Sequence, residues 1–136
     1  MNILRCPRVS FSALERSGVC RFIINYATFW VGLGLPHAET HTVILPHAAA
    51  YNAAAAPAAL DRVARALGED DAAGALFDLA ATHGAPTSLR QLGMSESDLD
   101  KAADEALRSA YWNPRPIERD PIRALLDDAY FGRRPS

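Results

Sequence analysis

Residues 34–52 read Gly-Leu-Pro-His-Ala-Glu-Thr-His-Thr-Val-Ile-Leu-Pro-His-Ala-Ala-Ala-Tyr-Asn, and this stretch divides the chain into two unlike parts. Pro36 suits the first turn of a helix, where a missing N–H costs nothing. His37 and His41 stand i, i+4, so a helix places both on one face. With His47, three of the chain's four histidines lie here. Downstream, apolar residues recur with a helical period; upstream they keep neither a helical nor a strand period.

The downstream part reads as all-α. A first helix is expected over 37–52, broken or bent near Pro46, whose ring clashes with the preceding turn. Pro57 starts a second helix, with Leu60, Val63, Ala64 and Leu67 on one face and Gly68 as its stop. A third covers about 70–83, with Ala73, Leu76, Phe77 and Ala80 inward and Gly84 as terminator. Residues 88–92 form a short turn ending at Gly93. The spacing Ser95-Glu96-Ser97-Asp98 is that of a capping box, opening a fourth helix with Leu99, Ala103, Ala106, Leu107 and Ala110 on one stripe. Residues 111–116, Tyr-Trp-Asn-Pro-Arg-Pro, form an extended link. A last helix takes Asp120 as N-cap and Pro121 at its first position, with Ile122, Leu125, Leu126, Ala129 and Tyr130 inward. Residues 132–136 are a tail. Alanine-rich stripes of this kind favour close helix packing over a large buried area.

Residues 1–33 fit this plan poorly. Pro7 and Gly18 interrupt them, and 22–31 has strand-like composition with no second strand to pair with. The longest apolar run, 22–35, carries Asn25 and Thr28 and is too short to span a bilayer. No small-x-small cleavage site follows it, so a signal peptide is not expected. Cys6 and Cys20 match no zinc motif and read as plain thiols of a reducing compartment. A net charge of −2 gives no electrostatic case for nucleic acid or an anionic membrane. The expectation is a cytoplasmic protein.

Candidate chemistry gathers at the histidines. His37, at a helix start, can ligate a metal or simply pack locally. His41 on the same face is a second functional group or a partly buried polar contact. His47, nearly three turns from His37, reads as structural, as does His83 at a helix end. Glu39 is a base or a solvated first-turn acid. Nucleophile elbow, glycine-rich phosphate loop and Cys-x-x-Cys are all missing from the sequence, and Gly32-Leu33-Gly34 lacks the strand–turn–helix context of a dinucleotide fingerprint.

Residues 34–52, and again 111–117 with the helix that follows, resemble the maleylacetate reductase branch of the iron-containing alcohol dehydrogenase superfamily. The likeness covers residues 34–136. It implies the C-terminal helical domain of the dehydroquinate synthase-like, iron-containing alcohol dehydrogenase fold. In that family an N-terminal α/β domain binds NADH or NADPH, and 2-maleylacetate is reduced to 3-oxoadipate in the cleft between the two domains, late in the breakdown of aromatic compounds. In metal-binding relatives the histidine matching His37 ligates a divalent metal such as iron or zinc, beside ligands farther upstream. His41 and Arg115 become candidates for binding the dicarboxylic substrate, Arg115 through a guanidinium–carboxylate pair.

The family places a helix of the form His-His-Lys-Leu-Cys-His-Val-Leu-Gly-Gly directly before Leu-Pro-His, and this chain has none there. Codons for residues 22–32, read from the third base of the Phe22 codon, can spell that helix. Residues 1–33 are therefore expected to be a non-family tail, out of frame or disordered, ahead of a domain over 34–136. The chain by itself is expected to be inactive. Its partner is a separately encoded N-terminal domain or a second copy of itself. The alternatives are a non-catalytic helical interaction module, a generic iron-containing alcohol dehydrogenase fragment, and a metal-binding protein using His37, His41 and His47.

Overall fold

The computed structural model describes residues 32–108 and 113–136. Expectations for 1–31, among them Cys6, Cys20, the strand-like run and the reading-frame junction, lie outside the described residues. So do Ala110, Tyr111 and Trp112.

The described residues form five α-helices: α1 (His37–Asn52), α2 (Pro57–Leu67), α3 (Ala72–Thr82), α4 (Leu99–Arg108) and α5 (Arg119–Phe131), with a 3-10 turn (Glu96–Asp98) before α4. No strand is found among the described residues, as the all-α reading requires. α1 is the axis. It packs on α3 and α5, while α2 packs on α3 and α4 on α5.

The composition of α1 explains its place. Residues 46–49 are all buried, and Ala48 and Ala49 are 0% and 1% exposed, so the rear of the helix is enclosed on every side. A helix buried all round belongs at the centre of a bundle, and alanine lets its neighbours approach closely. The break expected at Pro46 does not occur: α1 runs uninterrupted through 16 residues. Pro46 cannot donate to the Thr42 carbonyl, but Val43, Ile44 and Ala48 on either side are at most 2% exposed, and their packing holds the helix where propensity alone would not.

α2 has the predicted limits, with Pro57 in its first turn and Gly68 left-handed (φ 75°) at its end. α3 starts slightly later than expected. Asp71 caps it, its carboxylate accepting from the Ala73 and Gly74 N–H groups at 3.1 Å each. Its buried side is Ala72–Ala75, while Leu76, Phe77 and Ala80 are only half-buried. The small residues face the crowded α1 contact and the large ones lie at its edge.

The capping box at Ser95 is not formed. Ser95 Oγ pairs with Ser97 Oγ at 2.8 Å, and the 3-10 turn intervenes before α4. α5 begins at Arg119, with Glu118 rather than Asp120 at the cap. All five residues expected inward on α5 are buried.

Two clusters make the core. The larger joins Val43, Ile44, Ala48 and Tyr51 of α1 to Leu89, Met94, Leu99 and the inward faces of α4 and α5. The smaller joins Ala49 to Leu60, Ala64, Ala72 and Ala73. The 88–94 turn is stitched to the end of α5: Leu89 N–H donates to Ala129 O at 3.0 Å and Arg90 N–H to Tyr130 O at 3.4 Å. These bonds satisfy carbonyls that a helix end otherwise leaves open.

Candidate functional site

The start of α1 is set by the turn before it. Gly34 is left-handed (φ 73°), Leu35 is buried at 6% exposure, and Pro36 holds an extended conformation as the cap residue. Thr40 ties the turn down, its Oγ1 donating to Pro36 O at 2.6 Å and its N–H to the same oxygen at 3.0 Å. His37 is thus the first helical residue, and it is exposed. The N–H groups of His37, Ala38 and Glu39 have no acceptor inside the helix, and they carry the positive end of its dipole.

His41 lies one turn behind. Its ring centroid is 4.2 Å from that of His37, the planes tilted by 36°. Burial, and then the neighbouring His37 imidazole, hold the His41 pKa below the ordinary histidine value. At neutral pH His41 is uncharged and offers one N–H and one lone pair. Its Nε2 is buried and has no partner. Glu39 is exposed in the first turn.

The donor set decides what this pair can hold. Among the described residues no three His, Cys, Asp or Glu side chains converge on a point where a metal could sit. Two imidazoles stacked on each other are not the three or more donors of a zinc or iron centre. The described residues do not by themselves fit a closed metal site. His83 is exposed at the end of α3.

His47 stands apart, at 3% exposure. Phe77 meets its ring edge-on, the centroids 6.4 Å apart. Its Nε2 is also buried without a partner. Burial pushes its pKa down to about 4, against a smaller opposite effect from Asp128. It lines a groove of about 350 Å³ between α1 and α5, together with Tyr51, Arg115, Leu125, Asp128 and Arg134.

Arg115 belongs to the far end of α1. Its Cζ sits 4.2 Å over the Tyr51 ring and its Nη1 donates to Tyr51 O at 3.4 Å. Ten residues of helix, about 15 Å at 1.5 Å per residue, separate Tyr51 from His41. The structure therefore brings His37 and His41 together and sets Arg115 elsewhere. Around it lies an arrangement that sequence reasoning missed. Buried Asn52 accepts at Oδ1 from Asn113 Nδ2 (2.8 Å) and from Arg115 N–H (3.3 Å), and donates through Nδ2 to Ala48 O (3.1 Å). Tyr51 donates its hydroxyl to Pro116 O at 2.7 Å. The aromatic-rich link was visible in the sequence, but nothing local named its partners.

No helix of the described residues is long and apolar enough to cross a membrane. The family model for the C-terminal part of Fe-containing alcohol dehydrogenases matches residues 28–130. Maleylacetate reductase of Burkholderia cepacia is 59% identical over 102 residues, which is 75% of this chain and 29% of that protein. Maleylacetate reductase 1 of Rhodococcus opacus is 49% identical over 140 residues, covering 96% of this chain and 39% of that one. The crystal structure of maleylacetate reductase from Agrobacterium tumefaciens superposes with a TM-score of 0.78 at 45% identity, over 86% of this chain and 33% of that chain. The chain thus spans between 29% and 39% of the length of these relatives. In sequence and in helical architecture it belongs to the iron-containing alcohol dehydrogenase family, of which it carries the C-terminal domain.

Proposed function

We propose that this helical domain forms one wall of a reductase active site, with the His37–His41 pair facing the substrate. The opposite wall is an α/β dinucleotide-binding domain, in the same polypeptide or supplied separately, and the assembled protein reduces 2-maleylacetate to 3-oxoadipate with NADH or NADPH. The observation that carries this reading is the 59% identity with a maleylacetate reductase, over the segment that builds the α1 start.

A dicarboxylic substrate is favoured at the α1 N-terminus by the free N–H groups and the helix dipole. His37, exposed, offers its ring to the cleft. His41, uncharged, keeps an N–H or lone pair available and stacks behind His37, which fixes the angle of the outer imidazole. Such a pair can hand a proton to the oxygen of a reduced carbonyl. A nicotinamide, when bound, supplies the hydride. All the described elements are helical, so the hold on that cofactor comes from the opposite wall. Whether iron, zinc or neither accompanies His37 turns on donors from that wall.

NAD(P)H oxidation with maleylacetate tests the proposal. The chain alone is expected to show no turnover, and the chain joined to the dinucleotide-binding domain of the Burkholderia cepacia relative is expected to show it. His41→Ala in the joined protein should lower kcat/KM by about 10²-fold or more, the usual scale of a positioned proton donor. Turnover by the chain alone, or none in a folded joined protein, overturns it.

A further inference from the structure

We infer that residues 133–136 form a strap, latched by Arg134 into a notch at Gly74, that closes the groove between α1 and α5 and controls access to the His47 imidazole. The path of the strap is fixed in steps. Gly132 ends α5 in the left-handed region (φ 69°) and turns the chain against Thr87 and Ser88. Arg133 N–H donates to Asp128 O at 2.9 Å, and its Nη1 reaches Asp127 (2.9 Å) and Asp128 (2.8 Å). Arg134 then crosses to α3. Its Nε and Nη2 grip the two Asp78 carboxylate oxygens at 3.0 and 2.8 Å, and Nη1 lies 3.7 Å from Asp71.

The notch holds the Arg134 guanidinium only while position 74 has no side chain. A Cβ at position 74 would overlap the Arg134 guanidinium and the Asp71 carboxylate. A methyl group at this position would push the Arg134 guanidinium out of its place between Asp71 and Asp78. Past the latch, Pro135 and Ser136 line the groove beside His47. The latch and what it guards contrast in exposure: the Arg134 and Asp78 side chains are 48% and 54% exposed, His47 only 3%. An exposed ion pair is weak and screened by salt. The strap is therefore held by contacts that open readily, and it lines the same groove as an imidazole whose Nε2 is buried without a hydrogen-bond partner.

Diethyl pyrocarbonate, which carbethoxylates uncharged imidazole, reads this out near neutral pH with site-resolved mass spectrometry, exposed His83 serving as internal reference. In the wild-type chain His47 should react far more slowly than His83, and faster as salt is raised. Arg134→Gln and Gly74→Ala should each raise the His47 rate about tenfold relative to His83, as a local opening equilibrium is displaced. Circular dichroism and thermal melts establish that the variants keep their helices. Unchanged His47 rates in folded variants overturn the inference. Should a variant not fold, the wild-type salt series decides alone: a His47 rate that does not change with salt overturns it.

Discussion

Asn113 donates its side-chain N–H to Asn52 Oδ1 at 2.8 Å, although the two stand 61 positions apart in the chain. Asn52 is 0% exposed and uses both ends of its amide. With Tyr51 it fastens the segment before α5 to the rear of α1, so these two residues decide where α5 enters the bundle.

Asn52→Ala should therefore be among the costlier single changes. It removes the acceptor shared by Asn113 Nδ2 and the Arg115 N–H, and although Asn113 Nδ2 keeps the Arg115 carbonyl at 2.6 Å, the loss of this shared acceptor should cost about 1–3 kcal/mol in all. Tyr51→Phe deletes one hydrogen bond, to Pro116 O, and should cost about 1 kcal/mol. Urea unfolding followed by circular dichroism measures both, and equal costs for the two would contradict this assignment.

Stability should fall on acidification through His47. Its folded pKa is about 4 against an ordinary 6.5, so the unfolded chain binds the proton first. The contribution is fully present above about pH 6.5 and is lost as pH drops toward 4, reaching at most about 3 kcal/mol at 1.36 kcal/mol per pKa unit. His41 acts in the same direction. Asp127, held below the ordinary carboxylate range chiefly by Arg133, adds a further loss at lower pH. His47→Gln should flatten the stability curve between pH 4 and 6.5, the range set by those two values.

Gly68 and Gly132 both end helices in the left-handed region, at φ 75° and 69°, but only Gly132 is crowded. A Cβ there would stand 3.1 Å from Ser88 Cβ and 3.3 Å from Thr87 O, whereas at Gly68 it meets open space. Gly68→Ala should cost about 1 kcal/mol, the left-handed penalty alone. Gly132→Ala should cost about 1 kcal/mol more, since overpacking is added. Thermal melts of the two variants give the difference directly.

Between α4 and α5 runs a chain of ion pairs centred on Arg123, which reaches Asp100 at 3.0 Å and Asp127 at 3.2 Å. Arg119 reaches Asp104 at 2.7 Å in the same row. Arg123 and Asp127 keep 28% and 32% of their side-chain surface in water and Asp100 keeps 65%, so Arg123→Gln should cost about 1 kcal/mol, and less at high salt. Denaturation at two ionic strengths checks this; a cost that does not change with salt would point to packing of the arginine stem instead.

Local chemistry made much of this fold legible. Pro57 and Gly68 gave the limits of α2, and the spacing of Ile122, Leu125, Leu126, Ala129 and Tyr130 gave the buried face of α5. The misses share a cause. Ser95 and Asp120 had cap-like spacing, but neighbouring turns placed the helix starts elsewhere. Pro46 should have interrupted α1 by propensity, and tertiary packing overrode it. At the candidate site, the i, i+4 spacing of His37 and His41 implied one shared face, and the rings do meet. The link of Arg115 to Tyr51, and of Asn113 to Asn52, joins segments more than sixty positions apart, and no pattern within either segment encodes it.

α1 carries two kinds of position on a single axis. Behind Val43 most side chains are hemmed in by packed neighbours, and at Ala48 and Ala49, 0% and 1% exposed, even one added methylene has nowhere to go. Ahead of Thr40 the first turn is bare. New chemistry can be tried there, one substitution after another, while the scaffold that aims it stays untouched.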